Sequence, residues 1–149
     1  MPLTSSQARA VIAAAETEAS AMAVPVIIAI VDAGVHLKAF SRMDNAVLGS
    51  IDIAIKKART SALFQANSEA VWEYCKPGAP APALELTNDG LAPFGGGVPL
   101  RNADGELLGA VGVSGGAVAQ DAAIAQAAAA VLASESVNSW PFQIIPRRR

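Results

Sequence analysis

The sequence has one histidine, His36, and three charged side chains that could act with it lie close by along the chain: Asp32, Arg42 and Asp44. An unperturbed imidazole titrates near neutral pH, so His36 could act as a general base or as an iron ligand. The alternative is a histidine in a hairpin turn that faces water. Arg42 and Asp44 could hold a carboxylate or pair with each other. We take His36, Asp44 and Asp32 as the candidate catalytic residues, and His36 as the candidate metal ligand.

Basic residues and glycines supply the candidates for ligand binding. Lys57 and Arg59 lie on opposite flanks of the apolar stripe of a predicted helix, where either could face a pocket with Arg42 and form an anion site. Two glycine-rich runs, 95–97 and 114–116, could bring backbone amides close to a ligand. Neither run has the spacing of a phosphate loop or a dinucleotide fingerprint, and a turn or helix cap is the structural alternative. The candidate ligand-binding residues are Arg42, Lys57, Arg59, Gly96, Gly97 and Ser114.

Hydrophobic periodicity indicates which elements must position these residues. The predicted helices cover residues 9–23, 47–66, 68–76 and 119–134, and the predicted strands cover residues 24–32, 36–43, 98–102 and 106–115. Residues 4–6 offer side-chain oxygens that could cap the first helix. A loop rich in proline and turn residues, 77–93, separates the two halves. The order helix, hairpin, helices, hairpin, helix predicts an α+β domain in which two hairpins form one antiparallel sheet with helices packed on it.

The composition is that of one globular domain. The 149 residues are 52% hydrophobic and 16% charged, and the formal net charge is −2. Arg147–Arg149 stand at the end of the chain, so the rest of the protein is more acidic than this value, which argues against a nucleic-acid surface. The one cysteine, Cys75, allows neither an internal disulfide nor a cysteine-rich zinc site.

The sequence also gives expectations about compartment and assembly. It shows no secretory signal and no apolar run long enough to span a bilayer, which predicts a cytoplasmic protein without a membrane partner. The last predicted helix is so rich in alanine that it could lie very close to a symmetry-related copy, so we expect a homo-oligomer. We expect one domain over residues 1–149, with a core of about 4–134 and a tail at 135–149 in which no regular element is predicted.

Three segments in this order resemble the family of GlcG- and HbpS-like proteins: VDAGVHLKAFSRMDNA, SIDIAIKKARTSALF and GGGVPLRNADGELLGAVGVSGG. That family includes GlcG-like proteins of glycolate utilisation, haem-binding HbpS and the C-terminal domain of PduO-type proteins. The resemblance covers residues 4–134 and implies a profilin-like fold and homo-oligomers; haem binding and haem degradation are attributed to some members. In this sequence Val35 replaces the second glycine of the family's Asp-Ala-Gly-Gly turn, and the family's Glu-x-x-Glu iron motif is not found.

Two functions stay open at this point, beside a structural or accessory role without chemistry of its own. The first is binding of haem or a related tetrapyrrole in an apolar pocket between helices and sheet, where Arg42, Lys57 or Arg59 would pair with the propionates and His36 would ligate the iron. The second is a cofactor-free catabolic enzyme, a lyase, isomerase or hydrolase, that acts on a small organic acid. Arginines would then hold the carboxylate, glycine amides would stabilise negative charge, and one of the candidate catalytic residues would move a proton.

Overall fold

The computed structural model describes residues 2–133 of the chain. In this range helices and strands follow the order α1 (Ser5–Ala21), β1 (Ile27–Asp32), β2 (Leu37–Arg42), α2 (Ser50–Phe64), α3 (Trp72–Cys75), β3 (Gly97–Arg101), β4 (Leu107–Ser114) and α4 (Val118–Ala133). A 3-10 turn at Ser68–Val71 leads into α3, and another at Leu84–Leu86 lies in the long loop. The predicted tail at 135–149 lies outside the described residues.

The four strands form one antiparallel sheet in the order β2-β1-β4-β3. Each outer pair is a hairpin, and the two hairpins join through β1 and β4, where Ile27 lies opposite Ser114 and Asp32 opposite Gly109. The predicted α+β architecture of two hairpins in one sheet is confirmed. β1 and β4 are central and buried on both faces, as expected for runs of apolar residues without alternation.

Helices cover both faces of the sheet, so the domain has three layers. α1 and α4 pack on one face, where the core includes Ile28, Ile30 and Val111. α2 packs on the other face, where alanines of the helix contact Ile27 and Ala29 of β1. Small residues at this second contact allow the helix to lie directly on the sheet, because a Cβ at position 112 of β4 would overlap the backbone of α2.

The ends of the elements differ from the predicted ones for local reasons. α1 begins at Ser5, earlier than residue 9, directly after one of the residues predicted to cap it. The Thr4 hydroxyl accepts the Gln7 amide and the Gln7 side chain accepts the Thr4 amide in a capping box. β1 begins at Ile27 and not at residue 24, since Val24 still donates to the carbonyl of Ala19 at the end of α1. No helix between residues 2 and 133 is long and apolar enough to cross a membrane.

Candidate functional site

The turn between β1 and β2 holds Asp32 and His36. The Asp32 Oδ1 atom accepts the backbone amides of Gly34 and His36, each at 2.9 Å, and so organises the turn. The His36 Nδ1 atom lies 3.5 Å from the same oxygen, and the His36 side chain is 84% exposed. The imidazole therefore stands in water at one end of the sheet, and Asp32 is occupied with backbone contacts.

Arg42 and Asp44 lie at the opposite end of the same hairpin. Six residues separate His36 from Arg42 along β2, which corresponds to about 20 Å of extended chain. Arg42 and Asp44 are exposed and line a polar cleft of about 550 Å³. The structure therefore divides the candidate catalytic residues into two groups, and in one chain His36 and Asp44 do not meet.

Lys57 lies on the buried face of α2 and its side chain is 1% exposed. Its Nζ atom donates to the carbonyl of Val113 at 2.9 Å and to Asp121 Oδ2 at 3.1 Å. The same ammonium lies 5.1 Å from the centre of the Phe94 ring, within the range of a cation–π contact. Burial lowers the pKa of Lys57 below its ordinary value, and the charge of Asp121 offsets part of that effect. Lys57 therefore links α2, β4 and α4, and its ammonium has no open face toward a bound anion.

Asp121 completes this buried network at the start of α4. Its side chain is 3% exposed, and its Oδ1 atom accepts the Gly116 amide at 2.9 Å. A weak sign of the pair is present in the sequence, because Asp121 is the one charged residue of α4 and Lys57 shares a helix face with alanines. Sequence reasoning missed the pair because 64 residues separate the partners.

The glycines and Ser114 have neighbours within the protein. The Gly97 amide donates to Ser68 Oγ at 2.8 Å, and Ser68 Oγ donates to the Phe94 carbonyl at 2.6 Å. Gly96 has a φ of +129°, and a Cβ there would meet the Lys57 ammonium. Ser114 is buried and its hydroxyl donates to that of Ser50 at 3.1 Å. These contacts fit the structural alternative, in which the glycine runs form turns and a helix start.

The remaining candidate for ligand binding is Arg59, which is half-buried on α2. It does not line the polar cleft that contains Arg42. Among the cavities that the described residues form, the polar cleft is lined by Arg42 and not by Lys57 or Arg59, so an anion site that combines Arg42 and Arg59 stays a prediction.

An aromatic cleft lies at the same end of the sheet as Ser114, between the Ser68–Cys75 segment, the loop before β3 and the first turn of α4. Its volume is about 500 Å³, and it is lined by Glu69, Trp72, Glu73, Pro93, Phe94, Gly95 and Val118. Trp72 is 44% exposed, Phe94 39% and Val118 49%, so these large apolar groups face open space. Sequence reasoning did not select them, because an apolar residue in a short helix or loop has the same pattern whether it packs or faces a ligand.

Buried polar side chains contact the floor of the aromatic cleft from below. Lys57 contacts the underside of the Phe94 ring, and Ser68 binds the Phe94 carbonyl. A Cβ at Gly95 would come within 3.2 Å of Val118, so the loop lies tightly against α4. The cleft is thus preformed by buried polar contacts that lie outside it.

The comparison with known proteins agrees with this architecture over nearly the whole domain. Residues 3–130 match the family described as haem degrading protein HbpS-like. The chain belongs to the HbpS-like family. The expected resemblance to GlcG, HbpS and PduO-type proteins is therefore confirmed.

Three relatives show how close this HbpS-like chain is to its family. It is 37% identical over 127 residues to an uncharacterized 15.0 kDa protein from the dhaT-dhaS intergenic region of Citrobacter freundii, covering 85% of this chain and 89% of the relative. It is 44% identical over 112 residues to protein GlcG of Escherichia coli, covering 75% and 81%. The solved structure of a PduOC–haem complex superposes with a TM-score of 0.81 and 36% identity, covering 87% of this chain and 94% of that one.

The side chains of this HbpS-like chain fit a haem in one respect and not in another. The aromatic cleft offers flat apolar walls of the kind that a macrocycle requires. Its lining includes no nitrogen ligand for iron, and between residues 2 and 133 no three His, Cys, Asp or Glu side chains come together as a metal site. The fit is therefore to the ring, and the iron ligand must be sought elsewhere.

Proposed function

We propose that this chain binds haem or a related tetrapyrrole in the aromatic cleft. The observation that carries the proposal is the exposure of Trp72, Phe94 and Val118 on the walls of one preformed cleft of about 500 Å³. Large apolar groups that line a concave site without covering one another are typical of ligand pockets. A relative of known structure, PduOC, holds haem in its complex, which supports the same ligand class here.

The residues of the cleft would hold the ring and orient it. Trp72 and Phe94 supply aromatic surface against which a macrocycle can lie, and Val118 fills the side formed by α4. Glu69 and Glu73 border the cleft and carry negative charge, so the propionates would point away from them toward water. When bound, haem supplies an iron centre that can coordinate small ligands or change its redox state.

His36 is the proposed nitrogen ligand, and its position makes the proposal specific. The turn with His36 follows the last residue of β1, whereas the aromatic cleft lies near the first residue of that strand, Ile27, which pairs with Ser114. Within one chain the two sites are separated by about 15–20 Å along the strand direction. A haem in the aromatic cleft would therefore receive an imidazole from His36 of a second copy, which fits the expected homo-oligomer.

Haem titration followed by absorbance tests the proposal. We expect a saturable Soret band in the wild type, and Val118→Glu should weaken binding because it adds a charge to an apolar wall. Val131→Glu is the matched control, since Val131 is an exposed valine of α4 outside the cleft. His36→Ala should shift the Soret maximum without abolishing binding. Equal haem binding by the two valine variants would mean that haem does not bind in the aromatic cleft. Weak uptake without saturation would refute haem binding.

A second candidate function is action on a small organic acid, and the polar cleft favours it. Arg42 can bind a carboxylate there, and Asp44 is the one titratable partner beside it in the same lining. The Gly97 and Gly116 amides already donate to Ser68 and Asp121, so they do not provide an oxyanion hole. Thermal shift with a panel of small carboxylates tests this function. Stabilisation that is lost in Arg42→Ala but kept in Arg59→Ala supports it, and no stabilisation rejects it.

A further inference from the structure

The border of the aromatic cleft is negatively charged, and its walls are uncharged. Glu69 and Glu73 lie four residues apart in the helical Ser68–Cys75 segment, and both side chains are exposed. The other residues that line the cleft carry no charge: Trp72, Pro93, Phe94, Gly95 and Val118. Two carboxylates at this spacing repel each other, so a cation that binds beside them would be stabilised.

The two glutamates differ in how far their charge is compensated within the protein. Glu73 Oε1 lies 2.6 Å from Lys76 Nζ, so an ammonium group already pairs with this carboxylate at the surface. Glu69 Oε2 accepts a long hydrogen bond, 3.4 Å, from the neutral side-chain amide of Asn67. The charge of Glu69 is therefore the less compensated of the two, and it stands at the border of a cleft with apolar walls.

Trp72 supplies an aromatic face beside these carboxylates. It is 44% exposed and lies in the same helical segment as both glutamates, three residues after Glu69. Of the aromatic side chains, indole attracts cations most strongly. The Phe94 ring already has the Lys57 ammonium 5.1 Å from its centre, so its attraction for a second cation is reduced. Trp72 can therefore make the cation–π contact with a ligand, and Phe94 offers an apolar wall.

We propose that the aromatic cleft binds a small organic ammonium ion, with its alkyl groups against Trp72 and Phe94 and its charge beside Glu69. The cleft volume of about 500 Å³ admits such an ion, and an alkylated ammonium group presents its charge on apolar groups that suit these walls. Charge complementarity selects this occupant over a free anion, which both carboxylates would repel. The inference goes beyond the proposed function, since it does not require the cleft to hold a tetrapyrrole.

A proton NMR titration with hydroxyethyl-trimethylammonium tests the inference in the absence of haem. The control ligand is the neutral carbon analogue of the same shape, in which a tert-butyl group replaces the trimethylammonium group. We expect a saturable upfield shift of the trimethyl signal, because these methyl groups lie over an aromatic ring. The neutral analogue should bind about three- to tenfold more weakly. Equal affinities for the two ligands, or a shift that does not saturate, would overturn the inference.

Two substitutions at the cleft test the site itself. Trp72→Leu keeps an apolar side chain but removes the ring, and it should reduce both the upfield shift and the affinity for the ammonium ligand. Glu69→Gln should weaken binding of the ammonium ligand about two- to fivefold and leave that of the neutral analogue unchanged. Asp104→Asn is the matched control, because it removes one exposed carboxylate in the turn between β3 and β4. An unchanged shift in Trp72→Leu, or equal effects of Glu69→Gln and Asp104→Asn, would overturn the assignment to the cleft.

The Val118→Glu variant separates this inference from the proposed function. The added carboxylate should weaken haem binding but not ammonium binding, because it increases the negative charge of the cleft. Equal weakening of both ligands would show that charge does not select the ammonium ion and would overturn the inference. Haem binding by a wild-type chain that binds no ammonium ligand also overturns it and keeps the proposed function. Ammonium binding by a chain that takes up no haem refutes the proposed function and keeps the inference.

Discussion

Val35 adopts a left-handed backbone conformation in the turn between β1 and β2, with a φ of +69°. This conformation is costly for a β-branched residue, by about 1–2 kcal/mol, and the family sequence has glycine at this position. Val35→Gly and Val35→Ala both remove the two methyl groups and differ only in the Cβ atom, so their difference reports mainly on the backbone. We expect the glycine variant to be more stable than the alanine variant by about 1 kcal/mol in urea unfolding. Equal stabilities would show that the turn adapts without strain.

Lys57 and Asp121 form a buried ion pair, so the effects of their substitutions on the free energy of unfolding should be strongly non-additive. Lys57→Met or Asp121→Asn alone leaves one partner buried without its counter-charge, which costs about 3 kcal/mol in such pairs. The double variant removes both charges and is expected to cost about 2 kcal/mol less than the sum of the single changes. Chemical denaturation of the four proteins measures this coupling. Additive costs would mean that the two groups stabilise the fold independently.

The same pair predicts a pH dependence of stability. Burial lowers the pKa of Lys57 below its ordinary value of 10.5, so at high pH the folded chain releases a proton that the unfolded chain still holds. The unfolded state then binds more protons, and the free energy of unfolding rises with pH between the lowered pKa and 10.5. We expect the stability of the wild type relative to the double variant to increase as the pH approaches 10.5. A constant difference across this range would contradict the lowered pKa.

At the scale of single residues, the sequence indicates which side chains are candidates for a functional site. It does not indicate which side chains they contact in the fold. His36 as a turn histidine in water was one of two readings that the sequence allowed, and the structure places its imidazole in water. Lys57 could be recognised as unusual among alanines, yet its role depends on Asp121, far along the chain. Trp72 and Phe94 carry no sequence signal for a shared cleft, because only the tertiary contacts of Ser68 and Lys57 bring them to it.

The contact between α2 and β4 depends on the absence of a side chain at Gly112. A Cβ there would overlap the backbone of Ala54 and Ala58, and neither the helix nor the central strand can move without losing core contacts. Gly112→Ala is expected to reduce the free energy of unfolding by about 1–3 kcal/mol, as overpacked core variants do. Gly49→Ala is the control, since Gly49 has a helical φ of −58° and nothing within 4 Å of the added Cβ. Equal effects in thermal and urea unfolding would mean that close packing of α2 contributes little.

The elements themselves were largely predictable because hydrophobic period is a local property. The helix expected over residues 47–66 is α2, Ser50–Phe64, and that expected over 119–134 is α4, Val118–Ala133. The pairing of β1 with β4 was not predictable, since it depends on which hairpin edges meet beneath α2. In the observed strand order, α2 lies close to the glycines of β3 and β4, and this tertiary contact has no local sequence signal.

At the scale of the whole molecule, the outer face of α4 is the surface within residues 2–133 on which we expect self-association. Its one charged residue, Asp121, is buried, so the exposed side of the helix presents alanines such as Ala119, Ala123 and Ala130. An exposed helix face without charge can pack closely against its own copy about a two-fold axis. The alanine-rich composition of this helix was the sequence observation from which we expect a homo-oligomer.

Light scattering coupled to size exclusion tests this expectation. Ala123→Arg places a charge at the centre of the exposed face of α4, and burying it in a contact costs several kcal/mol, so the dissociation constant should rise by about 100-fold or more. Ala13→Arg adds the same charge to the exposed side of α1 and should leave the mass unchanged. A wild-type monomer at all concentrations contradicts the prediction, and it would also leave a haem in the aromatic cleft without an imidazole from His36. An oligomer that resists Ala123→Arg would instead place the interface on another surface, for which β2, with Leu37 and Phe40 exposed at the edge of the sheet, offers the next apolar face.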